Sequence, residues 1–242
     1  GMDQNQCKKN EKLATKINVD DTIRLARLAN LYKIKLFIFL SSIHVYSSPL
    51  NGILFENKKL KNSMPYGKLK ILAEKELKII SSKTNTKFLI LRLSNCFGKP
   101  VNKNSTSWNL IINDICRQIV TKSEIKLKTS GNQKRNFINI TELCEITKFF
   151  TSTTIIDNLK KYEIFNIGNS KNHSLNEIVE IVVDRYFTIY KKKANVKKSK
   201  IKEKTFLFNF KISKLLKLGY VPKNKMLSEI DSLLKYCKIF LK

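Results

Sequence analysis

A chain of 242 residues, 42% of them apolar, can bury a core as one large domain or two lobes. Its longest pure apolar run, Leu36–Leu40, is far too short to span a bilayer. The formal net charge of +28 raises nucleic acid as a partner, yet only six of the 47 basic residues are arginine, the side chain best suited to bidentate phosphate and base contacts.

Lysines run through nearly every segment, a pattern that an organism-wide composition bias explains more simply than a nucleic-acid site. The one cluster, Lys191–Lys193 with Lys197, Lys198 and Lys200, reads as a solvated basic loop. The first residues, Asp3-Gln4-Asn5-Gln6-Cys7-Lys8-Lys9, lack the apolar stretch of a signal peptide, so a cytoplasmic protein is expected. Cys7, Cys96, Cys116, Cys144 and Cys237 are scattered, and neither His44 nor His173 stands at metal-ligand spacing from them. Reduced thiols, no disulfide framework and no metal site follow.

In chain order, Asn18 is the expected cap of a helix over 19–32, with Asp20 and Asp21 in its first turn. The run Leu36-Phe37-Ile38-Phe39-Leu40, closing in Ser41-Ser42, suits a parallel strand buried on both faces. Pro65 opens a helix whose apolar positions are Leu69, Leu72, Ala73, Leu77 and Ile80. A second buried strand is expected at 88–91. Strand–helix–strand alternation predicts an α/β layer fold with parallel pairing. Further on, helices are expected near 107–120, after a Thr141 cap, at 175–190 behind the capping box Ser174-Leu175-Asn176-Glu177, at 213–218 and at 227–241. Short strands are expected at 125–127, 162–167 and 206–210.

Tyr66-Gly67-Lys68-Leu69-Lys70 places Tyr66 and Lys70 one turn apart on a single helix face. A Tyr-x-x-x-Lys match means little alone in so lysine-rich a chain, although no other tyrosine here has lysine four residues on. Its context is more specific. Ser42 lies at the C-terminal end of a strand, where doubly wound sheets place their ligands, and is followed by Ile43-His44-Val45-Tyr46. After the tyrosine helix comes Leu91-Arg92-Leu93-Ser94-Asn95-Cys96-Phe97-Gly98. Gln133-Lys134-Arg135-Asn136-Phe137-Ile138, Phe165-Asn166-Ile167-Gly168 and Leu218-Gly219-Tyr220 extend the series.

This succession resembles the extended short-chain dehydrogenase/reductases, the NAD-dependent epimerase/dehydratase family. The resemblance implies a partial Rossmann-like doubly wound parallel sheet lacking its first strands, plus a smaller mixed α/β substrate-binding lobe. Residues 1–100 would complete the dinucleotide-binding domain; 101–242 would mainly form the lobe, with segments near 136–168 returning to the first domain. It implies NAD or NADP as cofactor, a nucleoside-diphosphate sugar as substrate, and Ser42, Tyr66 and Lys70 as the catalytic trio. Tyr66 would be the acid/base, which needs its pKa to fall roughly three units from about 10, or about 4 kcal/mol, under the Lys70 cation together with the positive nicotinamide ring of the oxidised cofactor. Tyr66, Lys70 and Ser41 would meet the cofactor; Asn95, Asn109 and Arg135 would meet the substrate, with Arg135 on a phosphate. Trp108 and His44 read as structural. The helices at 19–32 and 66–81 are candidates for pairing into a homodimer.

Three departures from the family pattern stand out. The family's Gly-x-x-Gly-x-x-Gly turn, which meets the cofactor pyrophosphate, has no counterpart among the seven glycines, and the match starts just after the family's fourth strand. A fragment that has lost the adenosine side of the cofactor site is therefore expected. Ser47 stands where the family usually has glycine, and Asn136 where it has aspartate. Ile43-His44 follow the serine where dehydratases of the family carry Asp-Glu, which favours an epimerase or a reductase. The rival expectations are a non-catalytic nucleic-acid-binding member of the same fold, suggested by charge alone, and an inactive relic.

Overall fold

The computed structural model describes residues 1–199 and 206–241. In chain order its elements are α1 (Gln4–Lys9), α2 (Glu11–Thr15), α3 (Asp21–Leu31), β1 (Leu36–Ser42), β2 (Gly52–Leu54), α4 (Pro65–Ser81), β3 (Lys87–Leu93), β4 (Asn95–Phe97), α5 (Ile111–Lys122) and β5 (Glu124–Leu127). There follow β6 (Lys134–Asn139), α6 (Ile140–Phe150), α7 (Thr153–Asn158), β7 (Tyr162–Ile167), β8 (Asn172–Ser174), α8 (Leu175–Tyr190), β9 (Asn195–Lys198), β10 (Phe208–Phe210), α9 (Ser213–Lys217) and α10 (Met226–Phe240). The chain divides into two compact units. The first holds Gly1–Ser94, Ile146–Ile167 and Asn209–Tyr220; the second holds Asn95–Glu145, Gly168–Phe208 and Val221–Lys242.

The first unit is built on a parallel sheet in the order β1-β3-β7. Side chains alternate across β3, so its two faces are covered by different helices. Phe88 and Ile90 pack with Ala26 of α3 and with Ala73 and Leu77 of α4. On the opposite face Phe165 of β7 meets Phe150 at a centroid distance of 5.0 Å, and the Lys214 ammonium of α9 lies 4.2 Å from its ring centre. This is the expected doubly wound α/β arrangement with parallel pairing. β3 is buried along most of its length, but β1 is not: Leu40 is 44% exposed. Among the described residues β1 has one strand neighbour, so its apolar run is less covered than its composition implies.

Two details of the first unit's helices differ from expectation. The helix expected to start at Asn18 starts earlier, because α2 runs through a π-helical turn at Lys16–Asp20 directly into α3. Its N-terminus is capped by Asn10, whose side chain accepts from the Leu13 N–H. Asn18 is instead buried in the π turn, accepting from the Met2 N–H at 2.7 Å and donating to the Met2 carbonyl. On α4 the apolar stripe is Leu69, Ala73 and Leu77, while Leu72 is exposed.

In the second unit α5, α8 and α10 enclose an apolar core of which Ile115, Ile119, Ile178, Val182, Ile230 and Leu233 are members. Arg185 of α8 grips Asp231 of α10 with two hydrogen bonds of 2.7 and 2.6 Å. β4 pairs in parallel with β6, and β6 pairs antiparallel with β8. α6 is capped by Asn139, which accepts from the Glu142 N–H; Thr141, expected as the cap, lies inside the helix and donates to Glu229 at 2.6 Å. The basic cluster is not a plain loop. Lys197 and Lys198 lie on β9 against β5, where Glu124 holds both Lys197 and Lys126; Lys200 lies outside the described residues.

Candidate active site

Ser42 is the last residue of β1, and its hydroxyl oxygen accepts from the His44 N–H at 3.2 Å, capping a short 3-10 turn over Ile43–Val45. The chain then returns to α4, where Asn62 ties the helix start to that turn. Its amide donates to the His44 carbonyl at 2.5 Å and its oxygen accepts from the Met64 N–H at 2.8 Å. Gly67 makes this approach possible. A Cβ there would stand 2.5 Å from the His44 carbonyl oxygen and 2.7 Å from Asn62 Nδ2. The glycine within the Tyr66–Lys70 element thus brings the first turn of α4 against the end of β1.

Ser42, Tyr66 and Lys70 come together in this corner. The Ser42 side chain stands beside the Tyr66 phenol, near enough to act on its ionisation. The His44 and Tyr66 rings meet edge-on at 6.4 Å. Lys70 Nζ donates to the Leu40 carbonyl at 2.9 Å, 4.6 Å from the Phe39 ring centre and 5.8 Å from that of Tyr66. Behind them Cys7, Ala14, Val19 and Leu69 form a small apolar cluster that Tyr66 packs against.

The electrostatics differ from the expected ones. Burial pushes the Tyr66 pKa up; the nearby Ser42 side chain opposes this, while Cys7 and Asp3 add to it. The Lys70 ammonium is turned to the Leu40 carbonyl and the Phe39 face. Desolvation brings Lys70 itself down to about 8, against a smaller opposing pull from Glu74. The corner therefore combines a phenol that keeps its proton with an amine that titrates close to neutrality.

Ser41, expected to face a cofactor, is turned inward. It is buried, and its hydroxyl donates to Glu74 at 2.5 Å. Glu74 and Arg92, each 3% exposed, form an ion pair at 2.6 Å. Arg92 also donates to the Tyr46 hydroxyl and the Glu56 carbonyl, and Tyr46 donates to Asn166 at 2.6 Å. Sequence reasoning missed this group. Its signal was a polar interruption of two apolar patterns: Glu74 beside the Ala73–Leu77 stripe, and Arg92 inside the run 88–93.

Asn95, Asn109 and Arg135 belong to the second unit. Asn95 donates to the Asn136 carbonyl at 2.9 Å and so ties β4 to β6. Asn109 is exposed at the end of a 3-10 turn over Thr106–Asn109, and Trp108 packs inward with its indole N–H on the Lys103 carbonyl. Arg135 lies on β6 opposite His173 and donates to Gln133. Asn136, which stands where the family usually has aspartate, is fully buried. Its amide donates to the Asn169 and Lys171 carbonyls and to Asn172, and its oxygen accepts from the Asn169 N–H. Gly98 closes β4 with φ +147°, its backbone clamped by the Asn113 amide in both directions. Among the described residues no group of three His, Cys, Asp or Glu could hold a metal ion.

The profile of the NAD dependent epimerase/dehydratase family matches residues 3–168, more than two-thirds of the chain. The chain belongs to that family. This epimerase/dehydratase chain is 28% identical, over 167 residues, to a protein of Methanocaldococcus jannaschii provisionally named UDP-glucose 4-epimerase, covering 69% of this chain and 52% of that one. It spans about half the length of the curated relatives it matches. Among solved structures, the UDP-N-acetylglucosamine 4-epimerase of Methanobrevibacter ruminantium M1 in complex with UDP-N-acetylmuramic acid superposes with a TM-score of 0.77 at 22% identity, covering 92% of this chain and 69% of that one. RMD from Pseudomonas aeruginosa complexed with NADPH gives 0.80 at 13% identity, covering 98% and 78%. At these identities the structures establish a shared Rossmann-like fold. Among the described residues no helix of this family member is long and apolar enough to cross a membrane.

Proposed function

We propose that this chain carries the proton-handling half of an NAD- or NADP-dependent nucleotide-sugar epimerase or reductase. The observation that carries the reading is the Ser42–Tyr66–Lys70 corner at the C-terminal end of β1, where the Lys70 ammonium lies 5.8 Å from the Tyr66 ring centre and is anchored on the Leu40 carbonyl. The names of relatives and structural neighbours make a UDP-hexose the first substrate to test.

The described residues take one of the three Lys70 N–H groups, at the Leu40 carbonyl. Its remaining donors suit a ribose diol, so Lys70 and Tyr66 fit the nicotinamide–ribose side of the cofactor. The seven glycines offer no pyrophosphate turn, so the fit is restricted to that side. When bound, the cofactor would supply a hydride acceptor or donor at a sugar carbon. Ser42 would hold the reacting sugar oxygen and Tyr66 would exchange a proton with it. With its pKa raised, the phenol is ready as a proton donor. To accept a proton it needs positive charge close by, and the Lys70 ammonium is the source this chain provides.

The test is conversion of a UDP-hexose by the full chain with NAD or NADP supplied, its products separated by chromatography, for wild type and Tyr66→Phe. A loss of about 10²-fold or more in Tyr66→Phe is expected. A chain that neither binds nor converts any nucleotide sugar, or whose Tyr66→Phe variant keeps full turnover, overturns the proposal. Asn95, Asn109 and Arg135 are proposed as substrate contacts of the second unit, with Arg135→Ala expected to raise KM more than it lowers kcat.

A further inference from the structure

One row of the sheet lies immediately before Ser42. In it Ser41 of β1 is paired across from Arg92 of β3, and Arg92 from Asn166 of β7. Glu74 lies one helical turn beyond Lys70 and two beyond Tyr66, on the same face of α4. Its carboxylate accepts from the Ser41 hydroxyl at 2.5 Å, from Arg92 Nε at 3.1 and 3.2 Å, and from Arg92 Nη2 at 2.6 Å. The Glu74 carbonyl in turn accepts from the Tyr162 hydroxyl at 3.0 Å. Arg92 is held from its far side by Tyr46 and the Glu56 carbonyl. Every strand of the sheet therefore contributes a polar anchor to one point on α4.

A buried ion pair gains little over apolar packing of the same volume, so stability alone does not account for charges at this place. Geometry does. We propose that Glu74 is a positioning residue for Ser42, Tyr66 and Lys70: locked between Ser41 and Arg92, it sets the height of α4 over the strand ends and so fixes where Tyr66 and Lys70 stand. The inference rests on the reading of those three as the reacting groups. Glu74 has a second effect through charge, since it favours the ammonium of Lys70 against the desolvation that lowers its pKa.

The test reads the corner without turnover. Lys70 is pulse-labelled with acetic anhydride from pH 6 to 11 and its reactivity followed by mass spectrometry, with the wild-type midpoint near 8. In parallel, the Tyr66 ring carbon bonded to oxygen is followed by NMR in tyrosine-labelled chain, assigned through Tyr66→Phe. Glu74→Gln is expected to lower the Lys70 midpoint by about one unit and to shift or broaden the Tyr66 signal. If that variant is too unstable, the double variant Glu74→Leu/Arg92→Met removes both charges and keeps the volume. It is expected to unfold in a single cooperative transition, with the Tyr66 signal still displaced. A double variant with wild-type Lys70 and Tyr66 signals overturns the positioning role, because packing alone would then fix the corner. Neither signal depends on the assigned reaction: absence of sugar conversion would sink the proposed function and leave this measurement readable.

Discussion

Gly67→Ala tests whether the Tyr66–Lys70 helix is held by contact with the end of β1. On an ordinary helix this change stabilises by about 1 kcal/mol, through helix propensity and lower entropy of the unfolded chain. Here the new Cβ would fall 2.5 Å from the His44 carbonyl oxygen and 2.7 Å from Asn62 Nδ2. The first of these is backbone and the second is half of a hydrogen bond, so neither gives way freely. Overpacking costs about 1–3 kcal/mol and loss of the Asn62 bond about 1–2 kcal/mol. Set against the propensity gain, the net loss is about 1–4 kcal/mol. For a chain of this size that lowers Tm by about 2–16 °C. Thermal unfolding by circular dichroism reads the sign directly. The Tyr66 and Lys70 signals should move with it, because the helix start must retreat from the serine. A variant as stable as wild type, or more so, would refute the close approach and the geometry of the corner built on it.

Lys70→Met should show a pH dependence of known sign. The folded Lys70 loses its proton near pH 8 and the unfolded one near 10.4, so between these values the unfolded chain binds more protons and wild-type stability rises with pH. Lys70→Met has no such gain. Its stability relative to wild type, from urea midpoints, should therefore be most favourable below pH 8 and fall steadily up to about 10.4; a flat difference would contradict the desolvated ammonium. Asn136→Asp installs the residue the family usually carries, yet it removes the amide that donates to the Asn169 and Lys171 carbonyls. A loss of about 2–3 kcal/mol is expected at neutral pH. A buried aspartate beside carbonyl oxygens is held protonated longer than its unfolded counterpart. The deficit against wild type should thus grow as pH rises through about 4 and shrink on acidification. Chemical denaturation at pH 3.5 and 7 checks both points, and a stable Asn136→Asp would show that the polar hub of β6 is dispensable.

The fold was legible where local chemistry and tertiary burial agree. Pro65, the capping serine Ser174 and Gly219 mark element ends that need no distant partner, and the runs 36–40 and 88–91 have few alternatives to strands. The misreadings share a cause. Asn18 looks like a cap because asparagine usually is one, but a π turn keeps the backbone helical through it and frees its amide for Met2. Thr141 lost the cap to Asn139, whose fitness depends on the end of β6. At the site, the resemblance to the family, more than spacing, singled out Ser42, Tyr66 and Lys70, which the structure brings into one corner. It could not give the orientation of the Lys70 ammonium, because the Leu40 carbonyl that takes it is thirty residues away along the chain. Periodicity also hides Glu74, Arg92 and Asn166, which lie at core positions and are polar only because they meet one another.

The net charge of +28 acquires a physical meaning from where the carboxylates are. Glu74 accepts from Arg92 and Ser41, Glu142 from the Lys223 N–H, and Glu229 from Thr141; all three are buried. Asp231 grips Arg185, Glu124 holds two lysines, and Glu163 pairs with Lys214. In the buried cases a neutral or basic replacement would leave a donor unmatched or a cation uncompensated, a cost of several kcal/mol. An exposed carboxylate replaced by lysine costs little, because exposed ion pairs contribute about 0–1 kcal/mol. The carboxylates with such partners are the costly ones to replace, and exposed acids such as Glu11, Asp20, Glu180 and Asp184 the cheap ones.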